Sequence, residues 1–140
     1  MNYDLILPNE LIQNIGFLET EDFFIMPFLG KDYEIIAKDD VGNFIGTALN
    51  KQVFYLETAF DKHLDTIKYI TDDIAKFIQE LNLYKHYTEN YYLEENPADE
   101  ELEKYADGFK KLILTVDQNA FRTPDTYWSV IVEQMAYGLI

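Results

Sequence analysis

The chain has no cysteine, and among its 140 residues there is one arginine (Arg122), one serine (Ser129) and a single pair of histidines, His63 and His86. Each shortage removes a class of chemistry. Without cysteine there is no disulfide, no thiolate metal site and no cysteine nucleophile. Ser129 stands between Trp128 and Val130 inside a helical pattern, with no glycine elbow to present it as a nucleophile. The histidines are far apart and have no ligand-spaced neighbours, so a metal site is not expected. A lone guanidinium leaves a phosphate-clamping enzyme without its usual bidentate group. Beside Thr123, Arg122 is expected to make a structural salt bridge with an acidic neighbour. No apolar run approaches the roughly 18 residues of a membrane helix. The opening "MNYDLILP" lacks the basic and long apolar regions of a signal peptide. A soluble, cytoplasmic protein with no membrane partner is the expectation.

What the chain has in excess is acid. Twenty-six carboxylates against eleven basic residues give a formal charge of −15. Such a surface repels nucleic acid, whose recognition needs clustered Lys and Arg. It attracts a basic partner and speeds the encounter, and it also keeps a protein in solution. A hydrophobic fraction of 48% and an aromatic fraction of 16% supply a core, and the length suits one domain spanning 1–140.

Along the chain, "PNELIQNI" suits a short helix opened by Pro8. "DFFIMPF" suits a short strand that Pro27 confines to an edge or an end. "YEIIA", "NFIGTAL" and "VFYLE" are β-branched and aromatic runs separated by Gly, Asn and Asp, which predicts an antiparallel meander over Tyr33 to Glu57, with Asn50 and Lys51 turning its second hairpin. "TDDIAKFIQEL" predicts a helix capped by Thr71, with Asp72 and Asp73 in its first turn and Ile74, Phe77, Ile78 and Leu81 on one face. A second helix is expected from Asn96-Pro97, with Leu102, Tyr105, Ala106, Phe109, Leu112, Ile113 and Val116 as its stripe and Gly108 off it. A third is expected from Thr123-Pro124 to just before Gly138, faced by Trp128, Ile131, Val132 and Met135. Strands followed by helices predict an α+β fold, an antiparallel β-sheet (a meander of hairpins) with helices packed against it.

"KDDVGNFIGTAL", Lys38 to Leu49, looks most like a ligand loop and fails each motif it suggests. Its glycines, Gly42 and Gly46, are too close for a P-loop and are not followed by Lys-Ser/Thr. The segment runs into more β pattern, where a dinucleotide fingerprint would open a helix. A calcium loop starting at Asp39 would place Val41 at a ligand position and Phe44 at the obligatory glycine. The glycines therefore read as backbone devices, Gly42 for a turn and Gly46 for a bulge. A carboxylate pair could serve acid–base hydrolysis, but nothing singles one pair out. No catalytic, cofactor-binding or metal-ligating residue, and no cofactor, is assigned.

One stretch does read as recognition. "YKHYTENYYLEENPADEELEKY", Tyr84 to Tyr105, interleaves tyrosines with carboxylates, and tyrosine gives large contact area with few rotors to freeze. Tyr91, Tyr92, Glu94, Glu95, Asp99, Glu100 and Glu101 are the candidate partner contacts there, and Asp39 and Asp40 are candidates in the hairpin.

Strand, acidic-Gly-Asn turn, apolar strand and hairpin return follow one another as Ile35 to Ala37, Asp40 to Asn43, Phe44 to Leu49 and Val53 to Tyr55. A helical segment with Ile70, Ile74, Phe77 and Ile78 comes next, and "LPNELIQNI" supplies a Leu-Pro opening. This half of the chain resembles the SUKH superfamily, the immunity proteins of bacterial toxin systems. It departs from the family after Tyr55, where only "LETAF" stands for an acidic, histidine-bearing segment, and the tail from Tyr84 has no counterpart. The resemblance implies a SUKH-like α+β domain that neutralises a basic toxin domain, often a nuclease, by binding it without catalysis. The alternatives are a regulatory or scaffold module of the same fold and, less favoured, a carboxylate-dependent hydrolase.

Overall fold

The alternating runs of Tyr33–Glu57 form hairpins, and the sheet they start is wider than the meander expected. The structure is a computed structural model describing residues 16–18, 20–39, 41–59 and 61–140. The segment expected to form a helix at Pro8, and Glu19, Asp40 and Phe60, lie outside the described residues. The strands are β1 (Gly16–Phe17), β2 (Phe24–Phe28), β3 (Lys31–Lys38), β4 (Phe44–Thr47), β5 (Val53–Glu57) and β6 (Thr66–Thr71). They make a six-stranded antiparallel sheet ordered β1-β3-β4-β5-β6, with β2 paired along the other half of the same edge of β3. Pro27 sits on β2, where a missing N–H disturbs no central ladder.

Three helices follow: α1 (Ile74–Asn90), α2 (Asp99–Leu114) and α3 (Tyr127–Ala136). The fold is α+β. Each helix starts later than the sequence suggested. Thr71 is not a cap, because it still pairs with Val53 as the last residue of β6. Asp73 takes the role, its carboxylate accepting from the Lys76 N–H at 2.8 Å, so Asp72 and Asp73 lie ahead of the first turn. The cap of α2 is Ala98, with no side-chain bond, and Asp99, Glu100 and Glu101 face the positive end of the helix dipole in its place. Thr126, not Thr123, caps α3 by accepting from the Ser129 N–H. Its other end is as expected, closing at Gly138 with the Gly138 and Leu139 N–H groups bonded back to Met135 and Gln134.

Period-two alternation sends the sheet's side chains into separate clusters on its two faces. Ile36, Ala37, Ile45, Val53 and Ile70 meet the helices around Phe77, Tyr84, Phe109 and the fully buried Trp128. Phe28, Tyr33, Ile35 and Leu56 pack with Phe44, Phe54 and Ile67 on the other face. Gly108 has a packing reason: a Cβ there would collide with the Tyr87 hydroxyl, which donates to the Tyr105 carbonyl at 2.7 Å. Among the described residues no helix is long and apolar enough to cross a membrane.

Candidate functional site

The hairpin Lys38–Leu49 consumes its own polar groups. Asp39 Oδ1 accepts from the Val41 and Asn43 N–H groups at 3.1 and 2.8 Å, an aspartate-built turn. Its Oδ2 accepts from the Tyr55 hydroxyl at 2.6 Å, and Asn43 donates to the same Tyr55 oxygen. Thr58 closes the far side, bonding Asn43 Oδ1 through its N–H and the Gly42 carbonyl through its hydroxyl. Gly42 has φ +94°, the left-handed backbone the turn needs, and Gly46 faces the bulge of β3 with Tyr33 Cβ 3.0 Å from where its own Cβ would stand. Burial and the Asp39 contact push the Tyr55 phenol far above its ordinary value. As a contact for a partner, Asp39 has neither carboxylate oxygen free of internal bonds.

The acidic, tyrosine-rich segment spans the end of α1, the connection and the first turns of α2. Tyr91 is half-buried and packs its ring against Tyr87 and Tyr105, at centroid distances of 5.2 and 4.8 Å. Burial, then the neighbouring phenols, push Tyr87 up to about 12. Tyr92, next in the chain, is 81% exposed. Glu94, Glu95, Asp99 and Glu100 are exposed beside it in sequence, while Glu101 is half-buried and accepts from the Glu94 N–H at 3.3 Å. The structure thus divides the candidates into a packed tyrosine platform, an exposed tyrosine and a set of free carboxylates.

A third locus was missed. Glu80 is fully buried on α1, and neither carboxylate oxygen has a hydrogen-bond partner. Burial pushes its carboxyl up to about 8, and the charges of Asp117 and Asp72 act in the same direction. The Thr71 hydroxyl and Trp128 indole lie close enough to pull it back in part, though neither makes a well-formed bond. Nearby, the Tyr69 hydroxyl lies 2.7 Å from both Asp72 Oδ1 and Asp117 Oδ2, with one hydrogen to give. Asp72 also receives Lys76 at 2.8 Å, the leading reason its carboxyl is held low. The signal for Glu80 was available: it follows Phe77 by three and precedes Tyr84 by four, which places an acid on the buried stripe. A raised carboxyl is what acid–base hydrolysis needs, but Glu80 is covered on all sides and a substrate cannot touch it in this conformation.

Arg122 makes no salt bridge among the described residues; its guanidinium lies over the Tyr69 ring, 4.0 Å from the centroid. His63 and His86 are exposed, and no cluster of three or more His, Asp or Glu among the described residues is arranged to hold a metal ion. No family model, curated protein or solved structure matches the chain. The SUKH resemblance therefore rests on the motif residues alone.

Proposed function

We propose that this protein is a non-enzymatic binding module that captures a basic protein partner, and specifically an immunity protein that neutralises a basic, nuclease-like toxin domain by covering it. The observation that carries the reading is Tyr92, 81% exposed, next in sequence to a run of solvated carboxylates and to tyrosines packed into a fixed platform. An exposed aromatic that follows a packed tyrosine and precedes a run of acid in the sequence fits the anchor-and-rim form of an interface, with charge setting the rate and the anchor setting the lifetime. The chain's charge of −15 steers a basic domain toward it. The test is co-expression with the product of the neighbouring open reading frame, scored for rescue from toxicity, together with association kinetics on the purified pair. Rescue of growth, and an on-rate that falls as salt rises, support the reading; an on-rate independent of ionic strength removes charge steering from it.

A further inference from the structure

Five buried side-chain polar atoms make no hydrogen bond among the described residues, and they gather in one place. They are the Thr71 hydroxyl at the end of β6, both oxygens of Glu80 on α1, and the Tyr127 hydroxyl and Trp128 indole N–H that begin α3. Thr71 and Trp128 lie close enough to act on the Glu80 carboxyl, and Glu80 in turn acts on the Tyr127 phenol. Buried polar groups are nearly always paired, so this cluster is a strain that the closed fold carries. It sits where the first turn of α3 covers β6 and α1. Charged groups fasten the edge of that cover. From the connection 115–126, Asp117 accepts from the Tyr69 hydroxyl at 2.7 Å, and Arg122 lies over the Tyr69 ring. The Thr126 hydroxyl donates to the Ala120 carbonyl and so ties the connection to the start of α3.

From this arrangement we infer that Glu80 is the latch of a pH-operated seam: with a proton on its carboxyl, the connection 115–126 and α3 stay closed over β6 and α1, and loss of that proton favours their parting. A neutral carboxyl has a hydrogen to offer Thr71 and an oxygen to offer the Trp128 N–H. A charged one opposes Asp117 on the cover and Asp72 beyond β6, and it gains solvation only when the cover lifts. The other titratable groups of the elements packed here are phenols: Tyr55 on β5, Tyr69 on β6, Tyr84 on α1, Tyr105 on α2 and Tyr127 on α3. The cations Lys76 and Arg122 act on Asp72. The cover is the part that moves. Strand β6 is bonded along β5, and α1 is tied to α2 by the Tyr87 hydroxyl on the Tyr105 carbonyl, whereas α3 enters the cluster by its first turn alone. Glu80 lies roughly 15 Å along α1 from the Tyr91–Tyr92 surface, so the latch is independent of the partner proposed there.

The test is native-state hydrogen exchange of the full chain, read amide by amide at several pH values between about 5.5 and 8, with and without low concentrations of urea. The closed carboxyl titrates near 8 and the ordinary one at 4.5, so closure is favoured fully below the lower value and loses that support as pH rises toward the upper one. Once the intrinsic amide rate is divided out, protection at Ile131, Val132 and Met135 should fall about tenfold per pH unit across this range. Opening a short segment exposes little surface, so these amides should respond weakly to urea and be at least roughly tenfold less protected near pH 8 than those of β4 and β5, which should respond steeply. Glu80→Gln keeps the shape and should remove the pH slope at α3. Asp117→Asn leaves an oxygen for Tyr69, takes away a charge that opposes Glu80, and should shrink the total fall. If α3 shares the protection and urea response of β4 and β5, Glu80 acts on global folding only and the latch is overturned. A slope at α3 that persists in Glu80→Gln overturns it as well.

Discussion

Asp39 and Glu80 are carboxylates in opposite circumstances. Asp39, in the hairpin between β3 and β4, accepts two backbone N–H groups and a phenol, so its two oxygens build the turn. Glu80, between the sheet and α3, has no partner for either oxygen, and the core holds it against its own ionisation. The segment that looked most like a ligand site in the sequence is a self-contained structural device. An acid that drew no attention is the most strongly perturbed of the described carboxylates. Acid density therefore says little about where an acid is under stress; the burial of its helix face says more.

The largest effect expected from this contrast is on stability against pH. The folded Glu80 carboxyl titrates near 8 and the ordinary one at 4.5, so folding retains a proton that the unfolded chain releases. Its contribution is fully present below about pH 4.5, declines by about 1.4 kcal/mol per pH unit above that, and is lost once pH passes about 8, a total of at most about 5 kcal/mol. Glu80→Gln keeps the shape and cannot ionise. Urea melts from pH 5 to 8 should show the variant gaining on the parent as pH rises, with the other carboxylates cancelling in the comparison. Parallel pH profiles for the two proteins would mean that Glu80 is solvated or paired after all.

How much of this was legible depended on whether the signal was local. The hairpins over Tyr33–Glu57 and the stripes of α2 and α3 are carried by residues close in sequence, and their type was readable. Strand β6 was not, because Ile70 closes its alternation and also stands at helical spacing from Ile74, Phe77 and Ile78. One residue serves two periods, and only pairing with β5 decides between them. The same dependence moved the caps, since Thr71, Asp72 and Asp73 are all acceptable caps by type and the end of β6 selects Asp73. For the Asp39 turn, Gly42 and Asn43 announced a turn, while its closure by Tyr55 and Thr58 needed the neighbouring strand in place.

The second test attacks the satisfied side of the comparison. Asp39→Ala removes an acceptor from the Val41 and Asn43 N–H groups and from the Tyr55 hydroxyl, and should cost about 2 kcal/mol in a urea melt. Asp39→Asn keeps an oxygen for the two N–H groups, and its amide can turn toward Tyr55, so it should lose less than half as much. Equal losses would place the charge, rather than the turn, at the centre of Asp39's role.

The smallest stability effect belongs to the neighbouring tyrosines. Tyr91→Ala opens the platform it shares with Tyr87 and Tyr105 and should cost about 2 kcal/mol. Tyr92→Ala removes a side chain that is 81% exposed and should shift stability by less than about 0.5 kcal/mol. If Tyr92 is an anchor for a partner, the same substitution should speed dissociation of the complex by roughly thirtyfold, since a buried interface tyrosine is worth about 2 kcal/mol. The on-rate should barely change, because the surrounding carboxylates are intact. A Tyr92→Ala variant that folds like the parent and releases its partner no faster would leave the tyrosine without a role in binding, and the surface around it would be defined by charge alone.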